Sequence, residues 1–318
     1  MLGRHQARTR VGAIVAGLAL LAGLTTSLSG CSTSFAFGLG DPGGRIFAVG
    51  AESEYANVIQ QVGGEYVQVS AILSNPNTDP HAFEASAAVG RLLNEAQLVV
   101  QNGAGYDTFM NTIEGAVPSS SRKLIVVQDL LGLQASTPNP HLWYRPGTMP
   151  AVANAIAADL AAIQPAHATY FKAHAAAFGR SLETWTNAVA RFKASYQGTP
   201  VATTEPVADY LLQALGTRNL TPWAFQADIM NGTDPSPQDV AAERNLLTRH
   251  RVTVLVYNQQ VTDSLTESFI ALARTNGIPV VGVYETMPEP GYDYQSWMLA
   301  EVRALTNAIA HHVSTEHL

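Results

Sequence analysis

The stretch VQVSAILSNPNTDPH, residues 67–81, decides how the chain folds. Its first half, Val67 to Leu73, is an apolar run suited to a buried strand. Its second half sets Asn75, Pro76, Asn77 and Pro80 in a row, which stops the strand and opens a loop. A helical pattern begins near Phe83. Strand, loop and helix in that order form the repeating unit of a parallel sheet. The loop also delivers His81 ahead of the helix, and a second Pro-His step, Pro140-His141, stands ahead of another helical pattern. Two imidazoles at two loop mouths suggest one shared metal site.

The same alternation extends in both directions. Arg45–Ala51 reads as a strand and Glu52–Gly63 as a helix stopped by Gly63-Gly64. After the opening stretch come a helix to Ala96, a strand Gln97–Val100, a helix Tyr106–Val117, a strand Leu124–Val127 and a helix Met149–Ile163. Pro165 interrupts. Ala166–Tyr196 then has no proline and one glycine, with Phe171, Phe178, Leu182, Trp185, Val189 and Phe192 at helical spacing. A helix of that length spans about 45 Å, enough to join two lobes. The alternation restarts with Thr199–Thr203 (strand), Val207–Gly216 (helix), Gln238–Arg249 (helix), Val252–Tyr257 (strand), Leu265–Asn276 (helix), Pro279–Tyr284 (strand) and Tyr294–His311 (helix). Asn219–Phe225 receives no element and leads on to a loop, Asn231 to Pro237.

The expected fold class is α/β, with two lobes, each a mainly parallel sheet flanked by helices, joined by the long helix. The expected segments are a signal peptide 1–30, a flexible tether 31–44, an N-terminal lobe 45–165, a linking helix 166–197 and a C-terminal lobe 198–318. The leader has a basic start (Arg4, Arg8, Arg10), an apolar middle (Val11–Leu24) and the small residues Leu28-Ser29-Gly30 before Cys31. That ending resembles a bacterial lipobox, which implies lipidation of Cys31.

Cys31 is also the only cysteine. It excludes an intramolecular disulfide and, once lipidated, leaves no thiolate to bind metal or attack a substrate. Any site is therefore built from His, Asp, Glu and backbone. Loss of the leader removes three arginines and no acid, taking the formal charge from −7 to −10. Such a balance excludes nucleic acid as the natural partner and suits a collector of cations.

Five short motifs in order give a family resemblance. They are Asp79-Pro80-His81-Ala82-Phe83, Asn139-Pro140-His141-Leu142-Trp143, Thr204-Glu205, Asp234-Pro235-Ser236 and Tyr284-Glu285-Thr286, with the long helical run between the second and third. The chain resembles the manganese- and zinc-binding solute receptors of bacterial ABC transporters over residues 45–312. The resemblance implies a metal site in the cleft between the lobes, with His81 and His141 from the first lobe and Glu205 and Glu285 from the second. Asp is frequent at the fourth place, so Glu285 is one methylene longer. It also implies Mn2+ or Zn2+ as transported ligand, a permease and its ATPase as partners, and a lipid-anchored place on the outer face of the cytoplasmic membrane. A monomer is expected.

The chemistry of these residues agrees in part. The four candidates are separated by 60, 64 and 80 positions, unlike a zinc finger or a helix-borne protease site. Glu205 and Glu285 follow strands, where open α/β sheets bind ligands. Two imidazoles and two carboxylates neutralise a divalent ion, and a set without sulfur leaves Mn2+ and Zn2+ both open. Residues 82–140 lack the histidine-rich loop of many zinc members. Glu205 also suits the start of a helix with Pro206 at its first position, and Glu289 and Asp293 share the loop of Glu285. Asp79 and Asp234 suit turns. Trp143 and Tyr144 suit cleft packing. The remaining histidines (His5, His167, His174, His250, His311, His312 and His317) suit solvent-facing positions.

A second reading is a secreted metal-dependent hydrolase with a His/His/Glu site. Against it, a fourth ligand closes the site, and no G-x-S-x-G occurs. A surface adhesin role is a third reading. No Walker-type loop is present, so transport would need partner chains.

Overall fold

A computed structural model describes residues 44–77, 80, 83–288 and 291–318. Cys31, Asp79, His81 and Glu289, with the leader and nearly all of the tether, lie outside the described residues. The first sheet holds β1 (Ile46–Glu52), β2 (Val67–Leu73), β3 (Leu98–Gln101) and β4 (Lys123–Val126), in the order β2-β1-β3-β4. Every pair is parallel, with Val49 beside Ser70 on one flank and Val99 on the other. The second sheet holds β5 (Pro200–Thr203), β6 (Arg218–Asn219), β7 (Val254–Asn258) and β8 (Val280–Val283), in the order β6-β5-β7-β8. Its pairs are parallel too. The two sheets share one topology: the second strand lies outside the first on one flank, with the third and fourth on the other.

Helices cover both sheets. In the first lobe these are α1 (Ser53–Gly63), α2 (Ala87–Glu95), α3 (Thr108–Ala116), α4 (Val127–Leu130) and α5 (Thr148–Ile163). The tight passage from β1 to α1 needs Gly50, because a Cβ there would lie 2.4 Å from the Ala56 nitrogen. The linking segment forms α6 (Ala168–Ser181) and α7 (Glu183–Tyr196), separated by a turn at Leu182 whose backbone stays right-handed helical. The expected long helix is thus present but bent. Gly179 and the Ser181 hydroxyl, which donates to the Phe178 carbonyl at 2.7 Å, mark the bend. The second lobe adds α8 (Asp209–Ala214), α9 (Trp223–Met230), α10 (Pro237–Thr248), α11 (Ser264–Thr275) and α12 (Tyr294–His311). The sequence had assigned no element to α9.

One apolar core runs through both lobes. It joins Ile46 and Leu98 of the first sheet to Val201, Val254 and Val281 of the second, by way of Trp143, Phe171, Trp185 and Trp297. Burying large aromatic rings contributes most of such a core's stabilisation. A polar stripe on α1, Ser53, Asn57 and Gln61 at four-residue spacing, adds hydrogen bonds across to Met287, Tyr294 and Gln295. No described helix is long and apolar enough to cross a membrane.

Candidate metal centre

In the second sheet the strand order reverses between β5 and β7. The crevice outside the carboxyl ends of those strands is where such sheets take ligands. Glu205 lies two residues beyond β5, and Asn258 ends β7. Glu285 lies two residues beyond β8, which pairs with β7. His141 comes from the first lobe, on the loop after α4, just before a single 3-10 turn Leu142–Tyr144. His141 and Glu285 are fully buried, and Glu205 is 3% exposed.

Asn139 orients His141. Its Oδ1 accepts from both the His141 backbone N–H (3.0 Å) and the ring Nδ1 (2.8 Å), while its Nδ2 donates to the Pro206 carbonyl (2.8 Å). This network fixes the amide orientation and puts the imidazole proton on Nδ1, leaving Nε2 as an electron-pair donor. Nε2 faces Glu285 Oε2 at 3.4 Å. Asn102 holds the same loop, with Nδ2 donating to the Pro140 carbonyl at 2.8 Å.

Asn258 joins the two carboxylates. Its Nδ2 lies 3.3 Å from both Glu205 oxygens and 2.5 Å from Glu285 Oε1. One amide nitrogen has two hydrogens, one for each carboxylate. Gln260 fixes the Glu285 backbone: its Oε1 accepts from the Glu285 and Thr286 N–H groups at 2.6 and 2.9 Å. Tyr106, from the first lobe, donates its hydroxyl to Glu285 Oε2 at 2.8 Å. Glu285 therefore receives hydrogen bonds from both lobes.

A buried clasp sits behind the centre. The Tyr144 hydroxyl donates to the Tyr284 carbonyl (2.8 Å), accepts from the Tyr284 N–H (3.3 Å) and lies 3.2 Å from Glu301 Oε1. Trp297 Nε1 donates to the same Glu301 oxygen at 3.0 Å. Burial pushes the Glu301 carboxyl up to about 8, so it is held neutral near pH 7. On the other side, burial raises Glu54 to about 8, with the Glu285 charge adding to the effect. Burial first, then the charge of Asp107, lifts Glu52 well above the carboxylate range.

The candidates thus separate as follows. His141 meets Glu285, Asn258 joins Glu285 to Glu205, and His81 lies outside the described residues. Among the described residues, no three His, Cys, Asp or Glu side chains are spaced to hold one ion as they stand. The donor types, an oriented imidazole and two buried carboxylates, are ones a divalent cation takes. Glu205 is no helix N-terminal acid, because α8 starts only at Asp209. Asp293 caps α12, with its carboxylate accepting from the Ser296 N–H at 2.8 Å, which removes it as a rival to Glu285. Two histidines differ from expectation. His167 stacks on Tyr66 at 3.8 Å and His174 on Tyr170 at 3.9 Å, so both rings are half-buried against aromatic faces rather than turned to solvent.

The model of the ZnuA family, described as zinc-uptake complex component A periplasmic, matches residues 49–308. The chain belongs to this family. Among curated relatives of this ZnuA-family chain is the manganese-binding lipoprotein MntA of Bacillus subtilis (strain 168), 23% identical over 165 residues. That match takes in 50% of this chain and 53% of MntA, so the chain spans about half the length of that relative. Among solved structures, the periplasmic zinc binding protein TroA from Treponema pallidum superposes with a TM-score of 0.72 at 17% identity, over 84% of this chain and 99% of TroA. The solute-binding protein FpvC from Pseudomonas aeruginosa, solved with Mn2+, gives 0.69 at 19% identity, over 84% and 99%. Both share the two-lobe fold.

In this ZnuA-family chain, sequence reading missed Asn258, Gln260, Asn139 and Tyr106 as parts of the centre. Asn258 had one readable signal: a polar residue closing an otherwise apolar strand at the reversal of strand order.

Proposed function

We propose that the chain captures a divalent transition-metal ion, Mn2+ or Zn2+, outside the cytoplasmic membrane and delivers it to the permease of an ABC transporter driven by its ATPase. The observation that supports this most is the buried meeting of His141 with Glu285, from separate lobes, and the link from Glu285 through Asn258 to Glu205. His81 is proposed as the fourth ligand, on the motif it shares with His141. Cys31 is proposed as the lipidated N-terminus that tethers the receptor to the membrane. The family and its relatives are receptors, and nothing in them supports the hydrolase alternative.

Mn2+ and Zn2+ remain joint candidates on the chemistry of the donors, which are nitrogen and oxygen without sulfur. The test is calorimetric titration of both ions into metal-free protein, with elemental analysis of protein purified without added metal. One ion per chain is expected, lost on His141→Ala or Glu285→Ala. Unchanged stoichiometric binding in the double variant would sink the assignment.

A further inference from the structure

The three converging residues are at most 3% exposed, so an ion needs a path to them. A cavity of about 350 Å³ borders the centre with walls from both lobes: Gly105, Tyr106 and Pro140 on one side, Trp223, Ala227 and Met230 of α9 on the other. Pro140 directly precedes His141. Tyr106 both lines this cavity and reaches the centre, since its hydroxyl donates to Glu285 Oε2, the oxygen that faces His141 Nε2. Its ring stands edge-on to the His141 ring at 5.8 Å. The phenol is therefore the layer between the cavity and the donor pair. An ion bound between that nitrogen and that oxygen competes with the phenol for the same carboxylate atom. Two further cavities reach residues beside the centre, one of about 330 Å³ at Asn139, Tyr210 and Trp223 and one of about 240 Å³ at Leu73, Phe83 and Thr286, but neither is lined by Tyr106.

The loop bearing Tyr106 has an unusual backbone. Gly103, Ala104 and Gly105 have φ of 75°, 52° and 83°, three left-handed residues in succession. Such a conformation is rare for alanine and marks a segment held by its surroundings. Asp107 holds one end, accepting from the Asn102 and Gly103 N–H groups at 2.7 and 2.9 Å. At Gly105 no atom lies within 4 Å of the Cβ position, so the backbone beside Tyr106 has room to turn.

We propose that Tyr106 is the gate of the metal centre: its phenol swings into the cavity beside α9, frees Glu285 Oε2 and opens the path by which the divalent cation enters and leaves. This rests on the metal-site reading above. The test is stopped-flow measurement of Mn2+ and Zn2+ binding and release with the full chain. Tyr106→Ala removes the gate and is expected to raise both rate constants about tenfold or more, with Kd moving far less than either. Ala227→Trp fills the cavity from the opposite wall, away from every ligand, and is expected to slow both rates about tenfold. Thermal melting and circular dichroism check that each variant is folded. Wild-type binding with unchanged rates in both variants overturns the gate alone. Loss of affinity through faster release only, with association unchanged, also overturns it and reduces Tyr106 to a positioning residue. No binding by the wild type overturns the metal-site reading and the gate with it.

Discussion

At Asn258, two carboxylates that would otherwise repel each other in a buried space share one amide group. Removing the amide leaves both acids without the donor that sets their separation. Asn258→Ala is expected to weaken Mn2+ and Zn2+ binding about 10- to 100-fold in calorimetric titration, the usual effect of losing a residue that orients ligands. Affinity unchanged from wild type would place Asn258 outside the centre. His141, Glu205 and Glu285 were singled out by the family resemblance, with a Pro-His step and two strand ends in partial support. Asn258, Gln260 and Asn139 were not, because amide side chains are common on surfaces and their role exists only once two lobes meet. Trp143 and Tyr144 were read as packing, and both are fully buried. The clasp from Tyr144 to Tyr284 and Glu301 became visible only with the partners in place.

At the scale of elements, the alternation of strands and helices was readable because parallel strands buried on both faces are short apolar runs between helical patterns. The boundaries of α12 agree to the residue with the sequence expectation. The bend in the linking helix was signalled only by its single glycine, Gly179. Element α9 was missed because Pro222 and Trp223 follow a two-residue strand and the helix has no strong apolar stripe. No atom lies within 4 Å of the Cβ position at Gly179. Gly179→Ala is accordingly expected to stabilise the protein by about 0.5–1 kcal/mol through helix propensity and loss of chain entropy. Denaturant midpoints read the change. A destabilised variant would show that the bend needs the glycine's freedom.

For the whole molecule, buried acids set the response to pH. Burial pushes Glu54, Glu243 and Glu301 up from an ordinary value of 4.5 to about 8. The unfolded chain releases these protons near 4.5, whereas the folded chain keeps them to about 8. Between those values the folded state binds more protons, so their contribution is full at low pH and is lost as pH rises through about 8. Each group contributes a slope of about 1.4 kcal/mol per pH unit. The Tm of metal-free protein is expected to fall from about pH 5 to pH 8, and Glu243→Gln, remote from the centre, to flatten the slope. A Tm that rises over that range would contradict the neutral state of these acids. Metal binding runs the other way, because its ligands must be deprotonated.

The position of α12 bears on how the molecule is made. It is the last helix of the chain, yet its Tyr294 and Trp297 sit fully buried at the centre of the shared core. Trp297 meets Tyr144 edge-on at 5.6 Å, and Tyr294 meets Trp185 at 6.1 Å. A nascent chain therefore cannot close this core until α12 has been made. An exported receptor, as proposed above, would stay threadable through a secretion channel during that delay. A version ending at Pro288 is expected to show no cooperative melting transition in calorimetry. A sharp transition from that fragment would mean that the first lobe closes without α12.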